Sequence, residues 1–323
     1  MKKLATILLV IALAVSCMAM TACNDASSGK VPIVCGETGM NDIAGIATYG
    51  VNYYNLGVKA GDMAADILLN GQDVATMAVQ IDPNPGLSIN EKVAEEIGFT
   101  IPDSVKSKAG EDSTVKVTRV DSAIVDNDAD FTVGILQLVQ HVALDQSNKG
   151  FQDQLSVRMS EAGKTVTILD QNAAGDQSNN VTISDSFVAQ GVDLIYTIAT
   201  SSAQAAAAAT EESKTPVLFC AVTDPVSAGL VEAMDVPGGN VSGVSDINPV
   251  ADQIDLIADL LGKEDVKIGL LFTSAETNSV FQIDLAKKEC TAKGYEFVEK
   301  GIGDINDIEA AFTALAAAGV DAI

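Results

Sequence analysis

Short apolar runs that end abruptly in polar residues, each followed by an amphipathic stretch, recur along this chain. Residues 131–136 (FTVGIL) break at Gln137 and lead into a segment that carries Phe151 and Leu155 on one face. This alternation predicts strand, loop and helix, the opening βα unit of a parallel sheet. The same pattern returns at 164–190, 192–210, 216–234 and 266–293. In an open parallel sheet, ligands sit where strands end and loops converge. The polar residues just past each run, such as Gln137, Ser201, Asp224 and Thr273, are therefore the first candidates for function.

Elsewhere the pattern is less regular. Residues 31–35 predict a short buried strand, and 52–69 a helix with Leu56, Ala60, Met63, Ala64, Ile67 and Leu68 along one face, stopped by Gly71. Residues 77–81 and 87–90 predict short strands, with Pro83 and Pro85 between them. The stretch 106–130 holds Asp112, Asp121, Asp126, Asp128 and Asp130 without a sustained period, and predicts an acidic linker in which 114–120 can add a strand. Thr223-Asp224-Pro225 predicts the start of a helix, with Pro in its first turn. Residues 238–244 read as a glycine-rich crossing segment, and 320–323 begin a strand.

The first residues change the picture of where the protein works. Lys2 and Lys3 precede an apolar run at 8–15 that is shorter than the ~20 residues a membrane span needs. Met20-Thr21-Ala22-Cys23 has the form of a bacterial lipobox, so residues 1–22 are expected to be a lipoprotein signal peptide and Cys23 the lipidated first residue, the alternative being an ordinary secretory signal with a chance cysteine. Residues 23–30 then form a tether. A doubly acylated Cys23 anchors the protein to the outer face of a bacterial cell membrane.

Charge and composition exclude several classes. A net charge of −25 argues against nucleic acid as a partner, and the absence of Trp against stacking on single strands. Cys35, Cys220 and Cys290 form no metal or redox spacing, and a single histidine, His141, argues against zinc or a histidine-based triad. Neither GxGxxG after a strand nor GxxxxGK[ST] is present, which weighs against a Rossmann-like enzyme. No cofactor is expected.

Several stretches carry a family resemblance: 131–155, 215–231 (TPVLFCAVTDPVSAGLV), 240–261 and 268–282. They resemble the extracellular substrate-binding proteins of ABC importers, in the branch that includes tryptophan/tyrosine-type amino-acid binders. Residues 31–102 (VPIVCGETGM, ATYGVNYYNLG, GLSINEKVAEEIGFTIP) resemble the C-terminal portion of the same family. The order is thus circularly shifted, and roughly two dozen residues of a connecting ~30-residue βαβ unit are expected to be missing after 323.

The resemblance implies an α/β fold of the type I periplasmic-binding-protein kind: two Rossmann-like lobes with parallel sheets, closing on a small molecule in the cleft between them. Residues 131–243 would be lobe one, 244–265 a crossing segment, 31–105 and 266–323 lobe two, and 106–130 the linker. The implied ligand is an amino acid, aromatic favoured, passed to an ABC permease without chemistry. The alternatives left open are a rearranged or truncated paralogue that binds nothing and, behind it, the Rossmann-like enzyme.

Candidate ligand contacts follow from that reading. Thr200, Ser201 and Ser202 open an Ala-rich helix whose N-terminus suits a carboxylate; the same residues also serve as a plain N-cap. An ammonium needs a carboxylate, and Asp224 beside Thr223, or Glu37, supplies one unless these are caps or solvated loop charges. Asn278 and Ser279 can hydrogen-bond a ligand from the second lobe. Tyr49 and Tyr53 can stack on an aromatic ring, with packing the other use for Tyr53. Gln137 and His141 follow the first strand. Where the family carries Pro after that His, this chain has Val142, and a His there is more often a structural hydrogen-bonder.

Overall fold

The computed structural model describes residues 30–82, 84–110, 114–303 and 305–323. The expected signal peptide, Cys23 and the tether up to 29 lie outside the described residues. In chain order the elements are α1 (Thr38–Asn41), β1 (Ala47–Gly50), α2 (Tyr53–Asn70), β2 (Gly86–Ile89), α3 (Glu91–Ile97) and α4 (Asp103–Lys106). Next come β3 (Phe131–Gln137), α5 (Val142–Glu161), β4 (Val166–Asn172), α6 (Gln177–Gln190), β5 (Leu194–Ile198), α7 (Thr200–Ala209), β6 (Val217–Cys220) and β7 (Val241–Val244). The chain continues through α8 (Val250–Leu261), β8 (Lys267–Thr273), α9 (Thr277–Lys293), β9 (Glu296–Ile302) and α10 (Ile308–Ala317). These elements group into two α/β units, one from the described parts of 1–50, 86–111 and 248–323, the other from the described parts of 51–85 and 112–247.

The 51–85/112–247 unit is a five-stranded parallel sheet in the order β4-β3-β5-β6-β7. Helices cover both faces, as the near-continuous apolar strands require. Val133, Ile135, Tyr196 and Ile198 point to one face, where Phe151, Leu155 and Met159 of α5 and Leu56 and Ala60 of α2 complete the core. Leu136, Ile195 and Phe219 point to the other, against Phe187 of α6 and Ala203 and Ala206 of α7. Phe151 stacks on Tyr196 with ring centroids 3.9 Å apart, and the Tyr196 hydroxyl finds Ser147 at 2.7 Å, so a buried tyrosine loses no hydrogen bond.

The structure departs here from several expectations. Helix α2 belongs to this unit, not with the segments expected to form lobe two. Gly57 and Gly61 bring its backbone against that of α5, and Arg158 of α5 bonds Asp62 at 2.6 Å and Asp66 at 2.8 Å. Residues 241–244, read as part of a crossing segment, form the edge strand β7. Gly243 permits this: a Cβ there would stand 2.1 Å from the Phe219 carbonyl oxygen. Residues 77–81 make one bridge, Gln80 to Val244, in place of a strand. Of the expected linker, 106–130, Lys106 ends α4, and the stretch 114–130 forms no strand but is tied to this unit at points: Val120 N–H donates to Ser156 Oγ at 2.9 Å, Ala123 is buried, and Ile124 bridges Val166. No helix follows Thr223-Asp224-Pro225. The Asp224 carboxylate accepts from the amides of Val226 (3.2 Å) and Ser227 (3.1 Å), which closes a turn.

In the other unit, β8 and β9 pair in parallel, and single bridges extend the pattern from Ile268 to Ala322 and from Val34 to Ala47. The gap between is closed by Val34 N–H donating to Ile323 O at 2.8 Å and Ile323 N–H to Pro32 O at 3.0 Å. β2 lies antiparallel on β1 at the edge. Helix α8, expected as a crossing segment, is part of this unit: Ile254 and Ile257 pack with Ile268 and Leu270, while Leu256 and Leu260 pack with Ile46, Ile101 and Val105.

Candidate functional site

The strand register brings one set of candidates together. Asn172, Gln137, Ile198, Cys220 and Val244 stand side by side across the sheet at its carboxyl edge. Gln137 ends β3 in this row, and the residues just past it are His141, Thr223, Asp224 and the head of α7 with Thr200, Ser201 and Ser202. Three non-glycine residues with positive φ lie one or two residues beyond strand ends, Ala174 (55°), Ala199 (92°) and Ala221 (57°). Backbone held in sparsely populated regions clusters at ligand-binding edges of this kind.

Each side chain at this edge has a distinct commitment. Gln137 is buried and donates to Asp145 at 2.6 Å and to Val139 O at 2.9 Å, while Asn148 donates to its carbonyl at 3.1 Å. Its side-chain amide is held by these three bonds. His141 caps α5, its Nδ1 accepting from the Ala143 amide at 3.3 Å, so the imidazole is held by its own helix. Ser202 is fully buried and donates to Asn180 Oδ1 at 3.0 Å. Thr200 and Ser201 are half-buried, and Ala199, the residue before α7, gives the helix no side-chain cap. The first-turn amides of an uncapped helix, together with two hydroxyls, make a donor set for an anion.

Asp246, two residues past β7, is a member of the edge that the sequence reading missed. It is buried, and accepts from Tyr53 Oη at 2.8 Å and Thr223 Oγ1 at 3.0 Å. Burial pushes its carboxyl above the ordinary range, and the two hydroxyl donors pull it partly back. The signal was present in the order of residues: Val241-Ser242-Gly243-Val244 followed by Ser245-Asp246 repeats the strand-then-polar pattern, once 241–244 is read as a strand. Tyr53, considered for stacking or packing, is buried with its hydroxyl on Asp246.

The remaining candidates lie in the other unit. Glu37 follows the 32–35 segment and caps α1, its carboxylate accepting from the amides of Gly39 (2.7 Å) and Met40. Asn278 and Ser279 occupy the first turn of α9 after β8; Ser279 Oγ accepts from the Thr273 amide at 3.0 Å and so closes the turn. Tyr49 of β1 lines an open polar groove of about 730 Å³ with Ser104, Lys108, Asp252, Asp259 and Tyr295. Lys108 pairs with Asp259 at 2.6 Å across it. Among the described residues no group of His, Cys, Asp and Glu is placed to hold a metal ion, and no helix is long and apolar enough to cross a membrane.

Two α/β units built on parallel strands, with amides, hydroxyls and carboxylates gathered past the strand ends, define a protein of the type I periplasmic-binding class. The family model described as ABC transporter substrate binding protein matches residues 2–113 and 132–323, and the chain belongs to this family. Its members bind solutes and are not enzymes. A tyrosine-binding protein of Clostridioides difficile (strain R20291) is 40% identical over 183 residues, 57% of this chain and 52% of the relative. The chain thus spans about half the length of the curated relative it matches. Among solved structures, an ABC domain in complex with L-Trp from Streptococcus pneumonia is 36% identical, with a TM-score of 0.52 over 60% of this chain and 64% of that one. A conserved domain protein from Vibrio cholerae is 33% identical, with a TM-score of 0.51 over 57% of this chain and 61% of that one.

Proposed function

We propose that this protein is the extracytoplasmic receptor of an ABC importer and binds a free amino acid with an aromatic side chain. The observation that carries the reading is the uncapped N-terminus of α7, with Thr200 and Ser201 beside it, at the carboxyl edge of the parallel sheet. A carboxylate there accepts from backbone amides and hydroxyls in the field of the helix. The α-ammonium is assigned to the oxygens of the neighbouring loop, Thr223 and Asp224. The aromatic preference rests on relatives whose names give tyrosine and L-Trp as what they bind. Closure of two lobes on the ligand, hand-over to a permease and a lipid anchor at Cys23 are the finer parts of the proposal. The circularly shifted order belongs with them; the bonds between Ile323 and residues 32–34 are in keeping with it.

A thermal-shift and calorimetric screen against the amino acids tests the reading. At 100 times the dissociation constant, a ligand stabilises the folded state by ~2.7 kcal/mol. L-tyrosine and L-tryptophan are expected to raise the melting temperature. No shift with any amino acid, together with a broad non-cooperative melt, would favour the non-binding paralogue. For the anchor, Cys23→Ala is expected to move the protein from the membrane fraction to the soluble one.

A further inference from the structure

We propose that Asp246 is a positioning residue for the ligand loop after β6, and that it fixes the Thr223 hydroxyl as an acceptor for the ligand's ammonium. The proposal rests on the amino-acid reading above. An ionised carboxylate only accepts hydrogen bonds. The single proton of Thr223 Oγ1 is given to Asp246 Oδ1 at 3.0 Å, and that of Tyr53 Oη to Oδ2 at 2.8 Å. Any further partner of the Thr223 oxygen must therefore be a donor. With α7 offering donors one strand away, the edge presents the two opposite requirements of a zwitterion.

The surroundings show that the loop is held and not merely capped. Ser245 Oγ donates to the Thr223 carbonyl at 2.9 Å and accepts from the Ile247 amide at 3.1 Å. Ala221, two residues before Thr223, sits at φ 57°, a conformation an alanine keeps only where its neighbours impose it. Thr223 is 4% exposed and Asp246 8%. Placing a carboxylate this deep is unfavourable beside a neutral acceptor of the same shape. The carboxylate does what asparagine does not: it excludes the rotamer in which Thr223 accepts inward and donates outward.

The test has a ligand-dependent and a ligand-independent arm, both on the full chain. In calorimetry with L-tyrosine and L-tryptophan, Thr223→Val and Asp246→Asn are each expected to raise Kd about tenfold. The double variant is expected to match the single ones, because Asp246 acts through Thr223, and Thr223→Ser is expected to recover affinity to within about twofold. Losses that multiply in the double variant, or Asp246→Asn binding as the parent does, would overturn the proposal. In hydrogen exchange without ligand, Asp246→Ala and Tyr53→Phe are expected to speed the amides of 221–227 while those of 131–137 stay protected. Unchanged exchange at 221–227 in Tyr53→Phe, which removes one hydroxyl only, would also overturn it. If the parent binds neither amino acid, the amino-acid reading fails while the exchange arm still decides whether Asp246 holds the loop.

Discussion

Gly57 of α2 lies so close to Ser147 of α5 that a Cβ added to the glycine would stand 2.1 Å from the serine carbonyl oxygen. The contact repeats along the pair: a Cβ at Gly61 would meet Phe151 O at 2.9 Å, and one at Gly150 would meet Tyr54 O at 2.2 Å. Backbone has no rotamer with which to yield, so the helices must separate. Gly57→Ala is therefore expected to destabilise by ~1–3 kcal/mol, the usual cost of overpacking, despite the better helix propensity of alanine. Urea unfolding followed by far-UV circular dichroism measures it. A midpoint unchanged or raised would show that α2 is not held as closely as the structure has it.

The donors at the head of α7 differ in what they do without ligand, and that difference is measurable. Thr200 is half-buried, so Thr200→Val leaves the free protein within ~0.5 kcal/mol of its parent. If its hydroxyl meets a carboxylate, the loss of 1.5–3 kcal/mol in the complex raises Kd about tenfold or more. Ser202→Ala has the opposite profile. It strips Asn180 Oδ1 of its 3.0 Å donor in a fully buried place, so stability falls by ~1–3 kcal/mol. Calorimetric titration with L-tyrosine, paired with thermal melts, separates the two effects.

These two cases also show what could be read from the residues alone. The βα repeats between 131 and 210 were legible because strand and helix periods alternate cleanly there, and the part of the edge carrying Gln137 and Thr200 followed from them. The partner of α2 was not, because its contact is made by absent side chains: Gly57 and Gly61 give no apolar signal, only the small-residue spacing of close-packed helices. β7 was hidden by Gly243, which lowers strand propensity while letting the backbone approach Phe219. The turn at Asp224 looked like a helix start since Asp and Pro serve both; the carboxylate bonds to Val226 and Ser227 decide it. Asp246 was missed as a consequence of missing β7.

The cysteines should be chemically silent in the folded state. Cys35, Cys220 and Cys290 are free and buried. Burial, with Glu37 nearby as the lesser cause, pushes the Cys35 thiol up to about 12. Burial likewise takes Cys220 to about 11 and Cys290 to about 11. At pH 8 the reactive thiolate is then ~1 in 1,000 or less at each. Brief iodoacetamide treatment of native protein is expected to leave peptides bearing these residues unmodified by mass spectrometry, and to label all of them in denaturant. Labelling of Cys35 before unfolding would mean that the 31–50 segment opens locally.

Two carboxyls give stability terms of opposite slope with pH. Asp321 holds residues 320–323 to β8, bonding the Lys263 ammonium and accepting from the Lys267 amide at 3.0 Å. The Lys263 bond first, then the Lys267 amide, keep its carboxyl below the usual range. A carboxyl depressed in the folded state contributes stability above its unfolded pKa of ~3.9, and that contribution is lost as pH falls through the folded value. Asp321→Asn is thus expected to cost ~1 kcal/mol at pH 7 and progressively less below pH ~4. Asp246 runs the other way. Its carboxyl is raised by burial, so protonation on acidification favours the folded state. The stability of the parent relative to Asp246→Asn should therefore rise as pH falls from 7 towards the unfolded value. Urea midpoints of the parent and both variants at several pH values from 7 down to ~2.5 give the two slopes directly. Parallel curves for Asp246→Asn and its parent would mean that Asp246 is not buried as a carboxylate, which would also remove the ground for its hold on Thr223.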